Sequence, residues 1–433
     1  MTSDTTTQAR PPDEPDPPDR PPGSPAEAAS AALSAHPTAV HDWRLPDLPG
    51  LEFDPLLYRL LHEEPVARVR LPYGSGSAWL LTRYADVKAA TADPRFSREA
   101  LATTQVTSSA PNPVSARHAA LNYADPPELT RMRRVVARAF TGKSMNRLRP
   151  LAQAGCDALL DRMEEAGSPA DLMEHLHGPF PLAVVADLLG LEEEARARIT
   201  SWATVSMSSG PDGEESKAAR LRVRGVIVDL LERRRAAPEE DLASVLATAA
   251  GSGEITEDQA VSLATAILVS GAHAVRNNSA NMVFALLTHP EQLARLRADP
   301  ALLPQAVDEL LRFIPHRSGV GIPRIATEDL EIGGVPIRAG EAVFASYLAA
   351  NRDPAEFPDP DVLDFDRGPI GHLSFGNGPH HCVGSMVARM ESEIMIETLL
   401  RRYPNLRLAV PVEELSWQKN ALIRGPETLP VAW

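Results

Sequence analysis

A single cysteine near the C-terminal end of the chain lies in the glycine-rich stretch Phe375–Gly384, which reads FGNGPHHCVG. Glycines on both sides of Cys382 allow the backbone to bend tightly enough to present one sulfur. The apolar residues from Ser385 to Leu400 recur with helical spacing. Cys382 is therefore expected just ahead of a helix N-terminus, where the helix dipole favours the ionised thiolate. The chain must fold so that this turn holds one reactive sulfur.

The pattern Phe-Gly-x-Gly-x-His-x-Cys-x-Gly in this stretch resembles the haem-ligand loop of the cytochrome P-450 family. The resemblance implies that Cys382 is the axial ligand of the iron of haem b. It also implies that Phe375, His380 and Gly384 line the haem pocket, with His380 on a propionate. The other interpretation, an unreactive cysteine in a turn, does not require the fixed spacing of the surrounding residues.

Composition limits the partners and the compartment of the protein. The chain has 433 residues and a net charge of -15, which argues against nucleic acid or an anionic membrane as the main partner. Its two cysteines, Cys156 and Cys382, are far apart, so no disulfide framework is expected, and this fits a reducing cytoplasm. The sequence shows no apolar run of membrane-spanning length and no signal-peptide pattern. These features predict a cytoplasmic protein without a membrane anchor.

The chain divides into a polar tail and one large domain. Residues 1–40 are rich in Pro, Asp, Ser and Ala and are expected to be disordered. Residues 41–433 are predicted to form one domain, mostly α-helical with a small β region. The helical segments include Asp54–Glu64, Pro150–Leu246 with a helix over Asp171–Gly190, and Glu257–Thr288, while Val66–Leu71 and Ala78–Leu81 alternate as strands. The resemblance implies a single-domain fold, a prism of helices around haem.

The long predicted helix Glu257–Thr288 departs from the family at its centre. Counted back from its end, this chain reads Ser270-Gly271-Ala272-His273-Ala274 where the family has Ala/Gly-Gly-x-Asp/Glu-Thr. The acid and alcohol of that pattern relay protons during oxygen activation. Gly271 is retained and leaves room over the porphyrin, whereas His273 replaces the acid and Ala274 the alcohol. Four routes stay open: water ordered by polar groups of the substrate, a relay through His273, peroxide in place of dioxygen, or a reaction without oxygen insertion.

A second departure lies in the segment that begins at Asp125. The family pattern Asp-Pro-Pro-x-His-x-x-x-Arg is matched at Arg133, which would bind a haem propionate, but Leu129 stands at the histidine position. A basic run nearby is either a solvated helix face or a docking surface for an acidic electron donor such as a ferredoxin. The basic run consists of Arg131, Arg134, Arg138, Lys143, Arg147 and Arg149.

Two further motifs lie between the long helix and the cysteine loop. Glu309 and Arg312 form a Glu-x-x-Arg pair on one helix face, which the resemblance assigns to an ion pair that, with a third residue near Arg367, locks the cysteine loop. Arg324 would be a further propionate ligand.

Residues of the substrate pocket come from loops that carry no readable code. The candidates lie in the loop Arg98–Tyr123, on the long helix, and in the segments His316–Ile322 and Asn420–Ile423. They are Ser108, Asn112, Val114, Val269, Ser270, His316, Val320 and Leu422. The turn Gly210–Gly213 would be a mobile loop over the substrate entrance.

The resemblance implies an enzyme of bacterial secondary metabolism that takes electrons from a ferredoxin and its reductase. Its expected reaction is hydroxylation or epoxidation of a small organic molecule, and the expected substrate is an aromatic natural-product intermediate of the cyclic-dipeptide type. The missing acid–alcohol pair favours an alternative, in which two hydrogens are abstracted and a C–C or C–N bond forms without oxygen insertion. A second alternative is a haem-binding recruitment protein that does not catalyse.

Overall fold

The computed structural model describes residues 39–109, 120–199, 214–317, 319–419 and 421–433. Ala39–Trp433 form one compact unit. Most of the predicted tail, residues 1–38, therefore lies outside the described residues. So do the pocket candidates Asn112 and Val114, Asn420 and the turn Gly210–Gly213. Within those residues, no helix is both long and apolar enough to cross a membrane.

Helices dominate the fold. The main ones are α1 (Pro55–Glu63), α2 (Tyr84–Ala92), α3 (Ala120–Tyr123), α4 (Glu128–Ala137), α5 (Gly142–Ala166), α6 (Pro179–Leu189), α7 (Glu214–Ala236), α8 (Leu242–Gly251), α9 (Glu257–Thr288), α10 (Pro290–Ala298), α11 (Leu303–Phe313), α12 (Tyr347–Ala350) and α13 (Ser385–Arg402).

The β structure is small, as predicted. It consists of β1 (Val40–Asp42), β2 (Val66–Arg70), β3 (Ala78–Leu81), β4 (Phe96–Ser97), β5 (Ala170–Asp171), β6 (Arg324–Ala326), β7 (Leu330–Ile332), β8 (Val335–Ile337), β9 (Ala342–Ala345), β10 (Arg407–Leu408) and β11 (Pro430–Ala432). One six-stranded sheet has the order β1-β2-β3-β9-β6-β4. Its central strands β3 and β9 pair in parallel, with Leu80 opposite Phe344, and both side chains are buried.

The long helix α9 organises the larger core. Its start is fixed by a capping box, in which the Thr256 hydroxyl accepts from the Gln259 N–H and the Gln259 side chain accepts from the Thr256 N–H. The predicted bounds Glu257–Thr288 are confirmed. Buried residues along α9, such as Leu268 and Phe284, pack with those of α5, α6, α8 and α13 in one apolar cluster. This packing holds α9 against the helix that follows the cysteine loop.

The predicted helix over Asp171–Gly190 is wrong in its first half. Asp171 belongs to β5, a π turn covers Met173–His177, and α6 begins only at Pro179. Pro179 has no N–H to donate to an earlier carbonyl, so the helix restarts there. The Asp171 carboxylate accepts the N–H groups of Met173 and Leu429, which fixes the turn against the C-terminal strand.

Candidate active site

The cysteine loop is a tight turn ahead of α13. The Cys382 N–H donates to the Phe375 carbonyl at 2.8 Å, which closes the loop on itself. Gly376 and Gly378 have φ of +76° and +69°, a region that only glycine adopts freely. A β-carbon on Gly378 would also fall well inside contact distance of the Thr91 carbonyl. The glycines of the motif are therefore required by the backbone that presents the sulfur.

The electrostatics of Cys382 differ from the expectation that the helix dipole keeps the sulfur ionised. The side chain keeps exposed surface, but the surrounding protein still desolvates the sulfur, and this burial raises the pKa of the thiol. A hydrogen bond from the Gly384 N–H and the charges of Arg133 and Arg389 act in the opposite direction without cancelling it. The surrounding protein therefore does not by itself favour the thiolate, whereas a coordinated metal ion would do so.

Glu309 and Arg312 form a fully buried bidentate ion pair. Both Arg312 nitrogens Nε and Nη2 lie 2.7 Å from the carboxylate, and the two side chains are 1% and 0% exposed. Arg312 also donates to the carbonyls of Asn351, Pro360 and Val362. The pair thus ties α11 to the loop that leads into the cysteine turn.

Arg367 is the third member of this arrangement. Its Nε lies 3.3 Å from Glu309 Oε1, and the Asp364 N–H donates to the same oxygen at 3.0 Å. The expected contact between the pair and a residue near Arg367 is present in the structure.

Four basic side chains form a cluster that contains the predicted propionate ligands. We call Arg98, Arg133, Arg324 and His380 the cation cluster. Burial, then the charges of Arg98, Arg324 and Arg133, lower the pKa of His380 to about 3. Burial, followed by the charge of Arg324, lowers the pKa of Arg98 to about 9.

The cation cluster fits the haem that the resemblance implies. Among the described residues, no carboxylate is a cause of the pKa shifts of Arg98, Arg133 and His380. Within the described residues, Arg98 Nε and Arg324 Nη2 are buried and have no hydrogen-bond partner. Buried guanidinium groups without counter-charges are costly, and the two propionates of a haem would supply such charges. Arg98, Arg324, His380 and Arg133 would hold them, with Cys382 on the iron.

Sequence reasoning missed Arg98. It directly follows β4 and belongs to no motif, so its sequence carries no signal. Its backbone N–H donates to Asp125 at 3.0 Å, and its side chain donates to the Asn122 carbonyl at 3.0 Å. Asp125, the first residue of the Asp-Pro-Pro motif, thus positions the backbone of Arg98. Leu129, in contrast, is fully buried and offers no polar group.

The middle of α9 is less buried than the turns on either side of it. Val269 and Ser270 are exposed, and the four residues from Gly271 to Ala274 are half-buried, whereas the flanking turns are packed in the core. A β-carbon on Gly271 would lie 3.1 Å from Val185, so α9 can approach α6 closely there. Burial and the charge of Arg276 lower the pKa of His273, which keeps the imidazole neutral at neutral pH. A neutral ring nitrogen can accept and release a proton, whereas Ala274 can do neither.

Two of the candidate pocket segments meet beside α9. The Arg424 N–H donates to the His316 carbonyl, and Ile423 pairs with Arg317. Asn277 of α9 donates its side-chain N–H to the Ile423 carbonyl at 2.8 Å. Leu422, in the same segment, is 52% exposed. The segments predicted to approach the haem edge are thus fixed to α9 by hydrogen bonds.

Within the described residues, His316 Nδ1 and Arg317 Nε are buried nitrogens without a hydrogen-bond partner. We call these two atoms the open donors, although the tautomer of His316 decides whether its nitrogen donates or accepts. Burial, then the charge of Arg317, lowers the pKa of His316 to about 4. Burial also lowers the pKa of Arg317.

Two other pocket candidates lie elsewhere. Ser108 exchanges backbone hydrogen bonds with Tyr73, beside the turn between β2 and β3. Val320 is 4% exposed and packs with Trp43, Leu57 and Phe344 in the core under the six-stranded sheet. The structure does not bring these two side chains into the group around α9.

The basic run is largely neutralised within the chain. Its ion pairs are Arg131–Glu128, Arg138–Glu254, Lys143–Glu240 and Arg149–Glu393. These pairs are at least partly exposed, so each contributes little and can exchange partners.

Comparisons with known proteins agree with the geometry. The family model "Cytochrome P450" matches residues 182–417. A biflaviolin synthase of Streptomyces coelicolor is 47% identical over 92% of this chain and 97% of its own. A mycinamicin IV hydroxylase/epoxidase of Micromonospora griseorubida is 41% identical over 89% of this chain and 97% of its own. A crystal structure of a cytochrome P450 with biaryl coupling reactivity superposes with a TM-score of 0.83 at 43% identity, covering 91% of this chain and all of that one.

Proposed function

The chain belongs to the cytochrome P450 family, and on that premise we propose that it couples aromatic rings of a hydroxyl-bearing natural-product intermediate by oxidation. It is a P450 enzyme whose relatives act in bacterial secondary metabolism. The observation that carries the proposal is the pair of open donors, His316 Nδ1 and Arg317 Nε, which are buried in the segment that pairs with Ile423, the residue that Asn277 binds to α9. A buried nitrogen without a partner loses its hydration, and an acidic hydroxyl on the ligand would restore the hydrogen bond.

The missing alcohol supports the same substrate class. Ala274 cannot order a water molecule, so the groups that do so must come from His273 or from the ligand. Aromatic hydroxyls held by the open donors supply such groups. Two relatives support the coupling outcome: one is a biflaviolin synthase, and the other is a structure described as having biaryl coupling reactivity.

The residues of the chain divide the remaining tasks. When bound, haem b supplies the oxidising chemistry, while the protein binds and orients the reactants. Cys382 would ligate the iron, and Arg98, Arg324, His380 and Arg133 would hold the propionates. Gly271 was expected to leave room over the porphyrin, but its missing β-carbon faces Val185, so it lets α9 approach α6. His273 accepts and releases a proton at a ring nitrogen. A ferredoxin delivers the electrons, and its acidic groups compete with the partners of the basic run.

Hydroxylation or epoxidation is the second candidate. The observation that favours it is the similarity to a mycinamicin IV hydroxylase/epoxidase over nearly the whole of both chains. The two candidates differ in whether an oxygen atom from dioxygen enters the product.

The first experiment is a spectral titration of the ferric enzyme with a bicyclic phenol and with the parent arene that lacks the hydroxyl. We expect the phenol to bind at least about tenfold more tightly, because a hydrogen bond to a buried charged group contributes about 1.5–3 kcal/mol. Arg317→Gln should remove most of that difference, whereas the control Arg147→Gln, on the basic run, should leave it unchanged.

Product analysis under isotope-labelled dioxygen then separates the reactions. A dimer without label supports coupling, and a labelled monomer supports hydroxylation. Equal affinity for the phenol and the parent arene, or binding of macrolactones alone, would overturn the aromatic proposal.

A further inference from the structure

A small polar network centred on Arg389 lies next to the cysteine loop and has no part in the roles proposed above. Arg389 is on α13, and its guanidinium carbon lies 4.7 Å from the centre of the Phe375 ring. A cation over an aromatic face is attracted by the ring quadrupole. The same Phe375 contributes the carbonyl that accepts the Cys382 N–H. Arg389 therefore contacts the residue whose backbone closes the loop.

Asp308 fixes the position of the guanidinium. Arg389 Nε donates to Asp308 Oδ1 at 2.6 Å, and His372 Nε2 lies 3.3 Å from the same oxygen. Burial alone would raise the pKa of Asp308, but the hydrogen bonds of His372 and Arg389 outweigh it and lower the pKa. Asp308 is thus an anion that holds Arg389 between α11 and the cysteine loop.

Arg389 carries its charge beside the cysteine loop, over the ring of the residue whose carbonyl accepts the Cys382 N–H. The Arg389 side chain is 35% exposed, so solvent screens part of that charge. Arg149 pairs instead with Glu393 of α13.

We infer that Arg389 is a positioning residue that holds the Phe375 ring and sets the reduction potential of the thiolate-ligated iron, with Asp308 as its counter-charge. The inference rests on the proposed haem-thiolate function. Reduction adds one negative charge to the site, so a nearby cation favours the reduced form and a nearby anion disfavours it. Arg389 should therefore raise the potential, and Asp308 should moderate that effect.

The test is a spectroelectrochemical titration of the holoenzyme and four variants. We expect a negative shift of the midpoint potential for Arg389→Gln and a positive shift for Asp308→Asn. Arg389→Lys, which keeps the charge, should restore most of the potential lost in Arg389→Gln. The control Arg149→Gln should match the wild type.

The carbon-monoxide spectrum distinguishes a failure of this inference from a failure of the proposed haem-thiolate function. A wild-type enzyme without the red-shifted thiolate band would overturn both the haem-thiolate assignment and the inference. A normal band with unchanged potentials in the Arg389 and Asp308 variants would overturn the inference alone. Shifts of the same sign in both variants would also overturn it, because they would reflect loosening of the loop and not opposite charges.

Discussion

Replacing Glu309 by glutamine tests whether the buried ion pair stabilises the loop that carries Cys382. The carboxylate accepts hydrogen bonds from Arg312, Arg367 and the Asp364 backbone. Glutamine keeps one oxygen, but its NH₂ group must turn toward a cation that it cannot bind. The substitution therefore leaves the Arg312 charge buried without a counter-charge.

The expected cost follows from the burial of the pair. Removing one partner of a buried ion pair costs about 3–5 kcal/mol. Arg312 keeps three backbone carbonyls as acceptors, so we expect the lower end, about 3 kcal/mol. Because whole domains are stable by only about 5–15 kcal/mol, this is a large fraction of the total.

Urea unfolding of the holoenzyme, followed by circular dichroism and by the haem absorbance, measures this cost. The matched control is Arg295→Gln, which breaks an exposed ion pair with Asp366 next to the same loop. A surface pair contributes about 0–1 kcal/mol, so the control should unfold close to the wild-type midpoint. Equal destabilisation by Glu309→Gln and Arg295→Gln would refute the assignment of stability to the buried pair.

The structure also predicts the outcomes of three other substitutions. Gly378→Ala should abolish the thiolate-type carbon-monoxide band, because the backbone there has φ +69° and the new β-carbon meets the Thr91 carbonyl. Arg98→Gln should speed haem transfer to apomyoglobin by about tenfold or more and yet raise the melting temperature of the haem-free protein, because it removes a buried cation without a counter-charge. Glu391 is fully buried, and burial raises its pKa well above the ordinary 4.5. The protonated carboxyl is therefore compatible with the fold at low pH. As the pH rises above 4.5, the stability of the wild type should fall relative to that of Glu391→Gln by about 1.4 kcal/mol per pH unit, until the raised pKa is passed. Urea midpoints of the two proteins that run parallel from pH ~5 to ~8 would contradict this.

Sequence patterns predicted the long elements because those elements carry their own signals. The period of α9, its cap at Thr256 and the proline after Thr288 are local, so its bounds were correct. The helix predicted from Asp171 was wrong at its start because Asp171 is fixed by Leu429, far along the chain. No local pattern encodes such a partner.

The same distinction applies to the candidate site. Cys382, Glu309 and Arg312 belong to motifs with fixed spacing, so their positions could be read from the sequence. Arg98 and Arg389 become visible only when the fold brings them to the cation cluster and to Phe375. An arginine acquires its role from the charges and rings around it, and those come from distant segments.

The two replacements in the middle of α9, His273 for the acid and Ala274 for the alcohol, both affect the supply of protons. The acid and alcohol are absent, and His273 is neutral at neutral pH, so it can pass on only a proton that it has first received. A ligand whose hydroxyls are held by the open donors brings exchangeable protons to the site. In that case one interaction both selects the ligand and allows the reaction to proceed. An analogue without hydroxyls would then lose turnover as well as affinity, whereas an enzyme with its own acid–alcohol pair would lose affinity alone.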